Sequence, residues 1–476
     1  MNGTDAINAP SGSHGRNLAI LIAAEAVQKV LTLALFVLIS RGLSVEDNGR
    51  YALFTTLFPL MVVWINMGMY DVAVRDVARD PGVAGRLLGA SLLPQGGLSI
   101  AAMALVAIPT PSDSPLLPVG LLVAMYAAMG RMILAPFAAA GRFGPPAVLQ
   151  VALRAGVLAA SAWVLSTDGG VLALVAVLLV PHLLWMLAGV VWARRAIGLR
   201  VQYPPHWPTI PYLLSQGAPI AAGGLFATLF FSMDLPLLGM HASQEATGYY
   251  AIGARFMWML FPLVDILSSM VYPVLSRKTG GADEGFALGR VFKAAWLLGL
   301  PMAVGGVLLA GPITVLLAGE TFLPGAYAVG GLTAALALFL VSAVAMVHLR
   351  AQGRQMVATL VMVASCSAKV SSLMLSGGQG AALVVVNLAV GGLVTVMLAA
   401  CAARSVAGFP WRAVFGALLR ATAAALAMAL VLWPLRGTTP FLTIPLGAGV
   451  YLAAVLALGA VDAWDRALIG AALRRS

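Results

Sequence analysis

Long apolar runs alternate with short polar breaks along the chain, and Gly, Pro or charged residues bound most of the runs. A membrane-spanning helix needs about 20 mainly apolar residues to cross a hydrocarbon layer roughly 30 Å thick. The pattern therefore predicts an all-α polytopic membrane protein with about 14 transmembrane helices. The predicted spans lie near residues 17–41, 47–70, 86–109, 116–140, 145–166, 170–193, 209–233, 246–275, 288–310, 327–349, 356–376, 381–403, 413–433 and 441–461.

A short motif occurs twice, 199 residues apart, at equivalent places in this pattern. "SVEDNGRYA" (Ser44 to Ala52) follows the first predicted helix, and "SQEATGYYA" (Ser243 to Ala251) follows the seventh. A second pair of similar segments, "AAGR" and "AQGR", ends the fourth and the tenth helices. Six helices is an even number, so a repeat of six keeps both halves in the same orientation. We therefore predict two six-helix lobes related as a parallel repeat, with two further helices at the C-terminal end.

The domain boundaries follow from this repeat. The proline-rich segment "YPPHWP" (Tyr203 to Pro208) has the composition of a stiff extended linker between the two lobes. The predicted parts are a cytoplasmic tail at 1–16, an N-lobe at 17–200, a linker at 201–208, a C-lobe at 209–404, and the last two helices with a cytoplasmic tail at 405–476.

The repeated motif also predicts local structure at two helix starts. It places the same four residue types in each copy, at Ser44, Glu46, Gly49 and Tyr51 and at Ser243, Glu245, Gly248 and Tyr250. The serine suits a helix N-cap, and the glutamate suits the positive end of the helix dipole. The glycine permits close approach of a neighbouring helix, and the tyrosine suits interface depth with a solvated hydroxyl. Two ordinary helix starts, without duplication, are the alternative interpretation.

Hydrophobic residues make up 61% of the chain and charged residues 9%, which suits a polytopic membrane protein better than a soluble core. Of the 28 Lys and Arg residues, 19 fall on the predicted side of the N-terminus and three on the opposite side. Because cytoplasmic loops carry such an excess, we predict that both termini are cytoplasmic. The net charge of +11 then faces anionic membrane lipid, and we expect no nucleic-acid partner.

Several ionisable residues lie within or at the ends of predicted spans, where a charge costs about 2.5–3.5 kcal/mol unless it faces a polar interior. The cations are Lys29, Arg131, Arg154, Arg255, Lys369 and Arg420, and the acids are Glu25, Asp234 and Asp265. Glu25 and Lys29 are four residues apart and are predicted to pair. The register of the "AxGR" segments aligns Arg154 with Cys366, one turn from Lys369, so each half is expected to contribute one cation to a shared cavity. The excess of cations favours an anionic ligand, although structural pairing of each cation stays open as an alternative.

Motifs of several other function classes are absent from the sequence. No G-x-x-x-x-G-K-[ST] motif occurs, so a nucleotide-powered engine is not expected. The five His residues lack paired ligand spacing, so we expect no metal site. We also expect no cofactor and no catalytic residues, and a secondary transporter is the favoured class.

Two segments resemble a known family in their letters. The first, from Leu38 to Arg79, contains E-x-x-G-x-Y at a helix start, then a glycine-containing turn, then Arg75. The second runs from Met233 to Arg277 and includes Asp234. With the arrangement of six, six and two helices, they resemble the polysaccharide-export branch of the multidrug/oligosaccharidyl-lipid/polysaccharide exporter superfamily, which includes O-antigen and teichoic-acid flippases. Asn66 departs from the family pattern, which has an acidic residue there.

This resemblance implies a flippase that moves a polyprenyl-pyrophosphate-linked oligosaccharide across the inner membrane for cell-surface polysaccharide such as lipopolysaccharide O-antigen or teichoic acid. The implied partners are the lipid-linked oligosaccharide, membrane lipid, a polysaccharide polymerase and glycosyltransferases. The candidate pyrophosphate contacts are Arg154, Arg255, Lys369, Lys29 and Arg131, and the candidate ion or proton sites are Glu25, Asp265 and Asp234. The repeated motif is expected at a gate or interface, and Arg75 is expected in an inner-end loop.

Three alternatives remain open from the sequence. A multidrug exporter of the same fold is expected to have an acidic cavity for cationic drugs. A membrane polysaccharide polymerase or ligase is expected to have a large outer loop with catalytic Arg or His, whereas the predicted loops are short. A non-transporting scaffold for glycan assembly is the third.

Overall fold

The computed structural model describes residues 13–107, 116–140, 144–264, 267, 282–352, 354–375, 380–406 and 408–460, and the regular elements in these ranges are helices. Nine of these helices are long and apolar enough to cross a membrane, or ten spans if one bent pair counts as a single span. The protein is thus an all-α multi-pass membrane protein. The chain divides into two compact units, Met1–Pro236 (unit 1) and Leu237–Ser476 (unit 2).

Unit 1 contains ten helices in its described part. Their high apolar content suits a bilayer, where helices satisfy every backbone polar group within one segment. They are α1 (Ser13–Gly42), α2 (Val45–Asn66), α3 (Met69–Arg79), α4 (Ala84–Ala107), α5 (Leu116–Ile133), α6 (Ala135–Ala139), α7 (Gly144–Ser166), α8 (Val171–Val177), α9 (Leu179–Ile197) and α10 (Thr209–Ser232).

A sharp bend of 49° separates α2 from α3. Two successive left-handed residues produce it, Met67 with φ 45° and Gly68 with φ 70°. A side chain on Gly68 would overlap the backbone carbonyl of Gly217 on α10, and one on Gly217 would overlap the carbonyl of Met67. The two glycines therefore let the bend lie directly against α10, as small residues do in tightly packed membrane helices.

The buried side chains of unit 1 connect the short helices to the long ones. One cluster joins the start of α3 at Met69 and Val72 with Trp185 on α9 and Leu213 on α10. Helix α10 also contacts α2, α3 and α4, which is why it belongs to the first compact unit. The lobe boundary predicted at 201–208 thus differs from the boundary between the compact units at Pro236, and the lobes remain a prediction.

Unit 2 contains the remaining described helices, and its most enclosed span lies on the helix that begins at Ala326. The helix that begins at Asp234 crosses the division between the units. The helices are α11 (Asp234–His241), α12 (Gln244–Leu260), α13 (Ala282–Leu308), α14 (Ala310–Ala318), α15 (Ala326–Ala351), α16 (Gln355–Leu375), α17 (Gly380–Arg404), α18 (Trp411–Leu432) and α19 (Pro440–Ala457). Helix α15 packs against α12, α13 and α17, and α18 packs against α13 and α19.

Several predicted spans contain a short interruption of the helix, although Pro118–Ala139 and Val171–Ala196 each remain one candidate membrane span. The helices of the predicted spans 116–140 and 170–193 are interrupted at Leu134 and Leu178. The helix of the predicted span 288–310 ends before Leu309, and the chain restarts there as α14. In each case the new helix has a proline in its first three residues, where the missing N–H has no helical partner to lose. The described residues therefore confirm the all-α fold and many of the spans, while the count of 14 stays a prediction.

Candidate functional site

Arg154 on α7 lies among ionisable and polar side chains from three other helices of unit 1. It interacts electrostatically with Glu25 on α1 and Tyr51 on α2, and with His182 on α9. The Arg154 side chain has accessible surface although protein atoms surround it. This combination indicates a recessed polar surface around Arg154. Contact of Arg154 with an anion remains a prediction.

The aromatic row beside Arg154 is built by α2 and α9. The rings of Tyr51, Phe54 and Phe58 follow one another with centroids 6.2 and 5.9 Å apart, and the edge of His182 packs 5.8 Å from Phe58. The Nδ1 atom of His182 is 2.8 Å from the carbonyl oxygen of Leu178. A carbonyl can only accept, so Nδ1 carries the proton and, in the neutral ring, Nε2 is an acceptor.

His182 was not among the predicted site residues, because a lone histidine without paired spacing gives no signal in a sequence. Its significance depends on the packing of α9 against α7, which places the ring near Arg154. The break between α8 and α9 leaves the Leu178 carbonyl at a helix junction, four residues before His182. Pro181 is the sequence signal for this break.

The predicted ion pair between Glu25 and Lys29 does not form. Both side chains are exposed on α1, whereas ion pairs do form between Arg50 and Glu46 or Asp47, and between Arg75 and Asp76. The electrostatic partner of Glu25 is Arg154 on the neighbouring helix. A pairing rule for one helix face failed here because α1 packs against α7, which supplies a competing cation.

The other predicted cations occupy different surroundings. The guanidinium carbon of Arg131 lies 4.7 Å from the centre of the Tyr70 ring, a cation–π contact between α5 and α3. Lys369 is buried on α16, with 3% of its surface exposed, one turn from the buried Cys366. Arg255 is half-buried on α12. Within unit 1, the structure thus brings Arg154 and Glu25 together and places Arg131 in a separate aromatic contact.

Two further acids were predicted as ion or proton sites. Asp234 is buried at the first position of α11. Asp265 lies outside the described residues.

Both copies of the repeated motif begin a helix as predicted. The Ser44 hydroxyl accepts a hydrogen bond from the Asp47 backbone N–H at 3.1 Å, and the Ser243 hydroxyl accepts one from the Ala246 N–H at 3.1 Å. The glutamates lie in the first turns, and Gly49 and Gly248 are buried in their helices. Glu46 pairs with Arg50 at 2.7 Å, and Glu245 accepts a hydrogen bond from Tyr249 at 3.0 Å.

The solvated hydroxyl predicted for the motif tyrosines is wrong for Tyr250. This side chain is fully buried, and its hydroxyl accepts a hydrogen bond of 3.0 Å from the Asn387 side-chain amide on α17. Tyr51 is also buried, with 5% of its surface exposed. The motif gave the helix start correctly, whereas the depth of the ring depends on distant helices that cover it.

Arg75 lies near the end of α3, in a network with α10, and not in a loop. Its Nε donates to Asp76 at 2.8 Å and one terminal nitrogen donates to the Tyr212 hydroxyl at 3.0 Å. The Tyr212 hydroxyl donates to the other carboxylate oxygen of Asp76 at 2.7 Å. A weaker contact of 3.4 Å joins Arg75 to Gln216. The network continues the contact between the α2–α3 bend and α10, so Arg75 is a residue of that packing surface.

The helical architecture defines a class, that of membrane proteins with the fold of known transporters. The inward closed conformation of the lipid II flippase MurJ matches with a TM-score of 0.72 and 16% identity, over 95% of this chain and 100% of that one. An inward-facing multidrug resistance MATE family transporter of the MOP superfamily matches with a TM-score of 0.63 and 14% identity, over 81% and 98%. The Vibrio cholerae MATE transporter VcmN matches with a TM-score of 0.53 and 17% identity, over 83% and 99%.

The sequence gives the narrower assignment. Residues 38–327 match the family described as polysaccharide biosynthesis protein, and the chain belongs to that family. Its place in the superfamily of polysaccharide exporters and multidrug transporters, which the two segments indicated, is thereby confirmed. No curated protein matches the sequence significantly.

Proposed function

We propose that the protein is a flippase that moves an oligosaccharide linked to polyprenyl pyrophosphate across the inner membrane. The observation that carries the proposal is the position of Arg154, an accessible cation on a recessed surface of a chain from a polysaccharide biosynthesis family. The likeness to the MurJ fold supports the same reaction class. The glycan belongs to a cell-surface polysaccharide, of which O-antigen and teichoic acid are the two candidates from the sequence resemblance.

The physical requirement is a place for the pyrophosphate away from hydrocarbon. A guanidinium can donate two parallel hydrogen bonds to phosphate oxygens, and hydrogen bonds of this charged kind are shorter and stronger than neutral ones. The polyprenyl tail needs no such site because it can remain in the bilayer. Lys369 and Arg255 are proposed as further contacts, with Lys29 and Arg131 as weaker candidates.

The proposed transport cycle uses two lobes, residues 17–200 and 209–404, that expose the site alternately to the two sides. Both termini are placed in the cytoplasm by the positive-inside rule. Glu25 is the proposed ion or proton site, since it lies within electrostatic range of Arg154, and Asp265 and Asp234 are further candidates. A polysaccharide polymerase and glycosyltransferases are the proposed partners in assembly.

The test replaces Arg154 in cells that depend on this protein for surface polysaccharide. Arg154→Gln removes the charge, Arg154→Lys retains it, and Arg50→Gln removes an exposed arginine of a surface ion pair as a matched control. Hydrogen bonds to charged groups contribute about 1.5–3 kcal/mol, so loss of the charge is expected to slow transport on the order of 10- to 150-fold. Lipid-linked oligosaccharide should accumulate, and surface polysaccharide should fall, at equal protein level.

Partial recovery in Arg154→Lys and normal transport in Arg50→Gln are the expected control results. Normal surface polysaccharide in Arg154→Gln, at wild-type protein level, would remove this residue from the site.

A multidrug exporter is the second candidate, favoured by the likeness to MATE transporters. A cationic drug needs a carboxylate, and Glu25 is a carboxylate within electrostatic range of Arg154. Under this alternative, Glu25→Gln lowers drug resistance while surface polysaccharide is unchanged. Under the flippase proposal, resistance is the same in wild-type and deletion cells.

A further inference from the structure

Unit 2 contains a basic pocket that the proposed transport site does not include. It has a volume of about 310 Å³ and lies between the start of α13, the start of α18 and the end of α19. Four of the residues that line it are cations, namely Arg290, Lys293, Arg412 and Arg420. The described lining thus places four positive charges on a small concave surface.

The cations are held by contacts that fix the shape of the pocket. The guanidinium of Arg290 stacks 4.3 Å from the centre of the Phe286 ring, one turn earlier on α13. Arg420 donates a hydrogen bond of 3.0 Å to the carbonyl of Gly459, which has φ 63° and follows the end of α19. This bond ties α18 to the chain after α19 and closes one wall of the pocket.

Arg412 lies in the first turn of α18, where a positive charge does not stabilise the helix. The first turn carries no acidic residue, and a cation there opposes the positive end of the helix dipole. The N-terminal end of α18 therefore adds to the positive potential of the pocket. A bound anion would offset both the charge of Arg412 and the positive end of the helix dipole.

Exposed aromatic and apolar side chains surround the pocket. Trp411 and Phe415 stack with centroids 6.0 Å apart, and both are about half exposed. Aromatic side chains of this kind are typical of the headgroup level of a bilayer. Further along α18, Leu419, Leu426 and Leu430 are strongly exposed and form an apolar stripe that continues from the same end. A molecule in the pocket could thus have a charged head and apolar chains.

We propose that this pocket binds the phosphate of an anionic membrane lipid, with its acyl chains along the exposed stripe of α18. Basic pockets between helices at the cytoplasmic side commonly bind such headgroups. The site lies at the end of unit 2 that the positive-inside rule places in the cytoplasm. It involves no residue of the proposed transport site, so binding can be measured without transport.

The test measures lipid retention by the full-length purified protein with native mass spectrometry. Phosphatidylglycerol and cardiolipin are compared with phosphatidylcholine, and inorganic phosphate is added in a separate arm. The variant Arg290→Gln/Lys293→Gln/Arg412→Gln leaves the Arg420 hydrogen bond in place. A cation near the surface contributes about fivefold to binding of anionic lipid, so the three changes together should lower it on the order of 100-fold.

Two further variants keep the result interpretable. Arg290→Lys/Lys293→Arg/Arg412→Lys retains the charges and should retain binding of anionic lipid. Arg436→Gln removes an exposed arginine that stacks 4.4 Å from Trp433 at the opposite end of α18, and should leave binding unchanged. The thermal midpoint and elution volume of each lipid-free variant show whether it is folded.

Three results would overturn the proposal. They are equal retention of phosphatidylcholine and anionic lipids by the wild type, an equal loss of binding in Arg436→Gln, and binding of inorganic phosphate without preference for phospholipid. The last result would assign the pocket to a soluble phosphate compound.

Discussion

Replacing Gly217 by alanine tests the tight contact between α10 and the α2–α3 bend. The added methyl would meet the carbonyl oxygen of Met67 and backbone atoms of Gly68 and Met69. These are backbone atoms, so they cannot rotate away as the end of a flexible side chain can. The bend or the whole of α10 must move instead.

The expected magnitude combines two opposing effects. Overpacking of a well-packed contact costs about 1–3 kcal/mol, and the immobile backbone favours the upper half of that range. Alanine is about 1 kcal/mol more favourable than glycine inside a helix. The net expectation for Gly217→Ala is a loss of about 1–2 kcal/mol in stability. Gly97→Ala on α4 is the matched control, because nothing lies within 4 Å of its new methyl. The control should be neutral or slightly stabilising.

The assay is thermal unfolding of the purified protein in detergent, followed by tryptophan fluorescence and by loss of the monodisperse elution peak. In a unit of this size, each kcal/mol corresponds to roughly 2–4 °C in the midpoint. Gly217→Ala should therefore unfold about 2–8 °C below wild type, and Gly97→Ala should not. A midpoint for Gly217→Ala equal to or above that of Gly97→Ala would refute the close packing of α10 on the bend.

Two further predictions concern the repeated motif in unit 2, and both are measured as unfolding midpoints in the same detergent. Ser243→Ala removes the acceptor for the Ala246 N–H and should lower the free energy of unfolding by about 1 kcal/mol. Ser243→Asp can still cap the helix and should restore the unfolding midpoint, so no recovery would contradict the capping role. Tyr250→Phe removes the acceptor for the Asn387 amide and should cost about 1–3 kcal/mol, and Tyr249→Phe, at a half-buried neighbour whose hydroxyl bonds to an exposed carboxylate, should cost less; the reverse order would contradict the buried bond.

Local sequence signals predicted the helix starts. The interruptions within helices were not predicted, although local residues also explain them. A serine followed two residues later by a glutamate is a local signal for a helix start, and it predicted the N-caps at Ser44 and Ser243. The breaks before α6, α9 and α14 were also encoded locally, by Pro136, Pro181 and Pro312 in the first turns. The apolar runs concealed them, because hydropathy does not distinguish one straight helix from two helices in sequence.

Hydrogen-bond partners that are far apart in the sequence could not be predicted from such local signals. Arg75 bonds to Tyr212, and Asn387 bonds to Tyr250, in each case across 137 residues. Neither pair shares a helix, so no periodicity relates the two residues. Arg154 was selected from the sequence as an unusual charge, but its neighbours Glu25 and His182 follow from the packing of α1, α7 and α9.

Under the proposed function, the two halves of the predicted repeat are expected to contribute unequally to the phosphate site. In the register of the "AxGR" segments, Arg154 aligns with Cys366 and not with Lys369, which lies three residues further on, so the predicted repeat does not place the two cations at matching positions. Their surroundings differ as well, since Arg154 is accessible and Lys369 is 3% exposed. The motif tyrosines show the same divergence, because Tyr51 lies near Arg154 while Tyr250 bonds to Asn387. Duplication of the helix starts thus does not require duplication of the charge. We therefore expect the first contact with pyrophosphate on unit 1, with loss of Arg154 more damaging to transport than loss of Lys369.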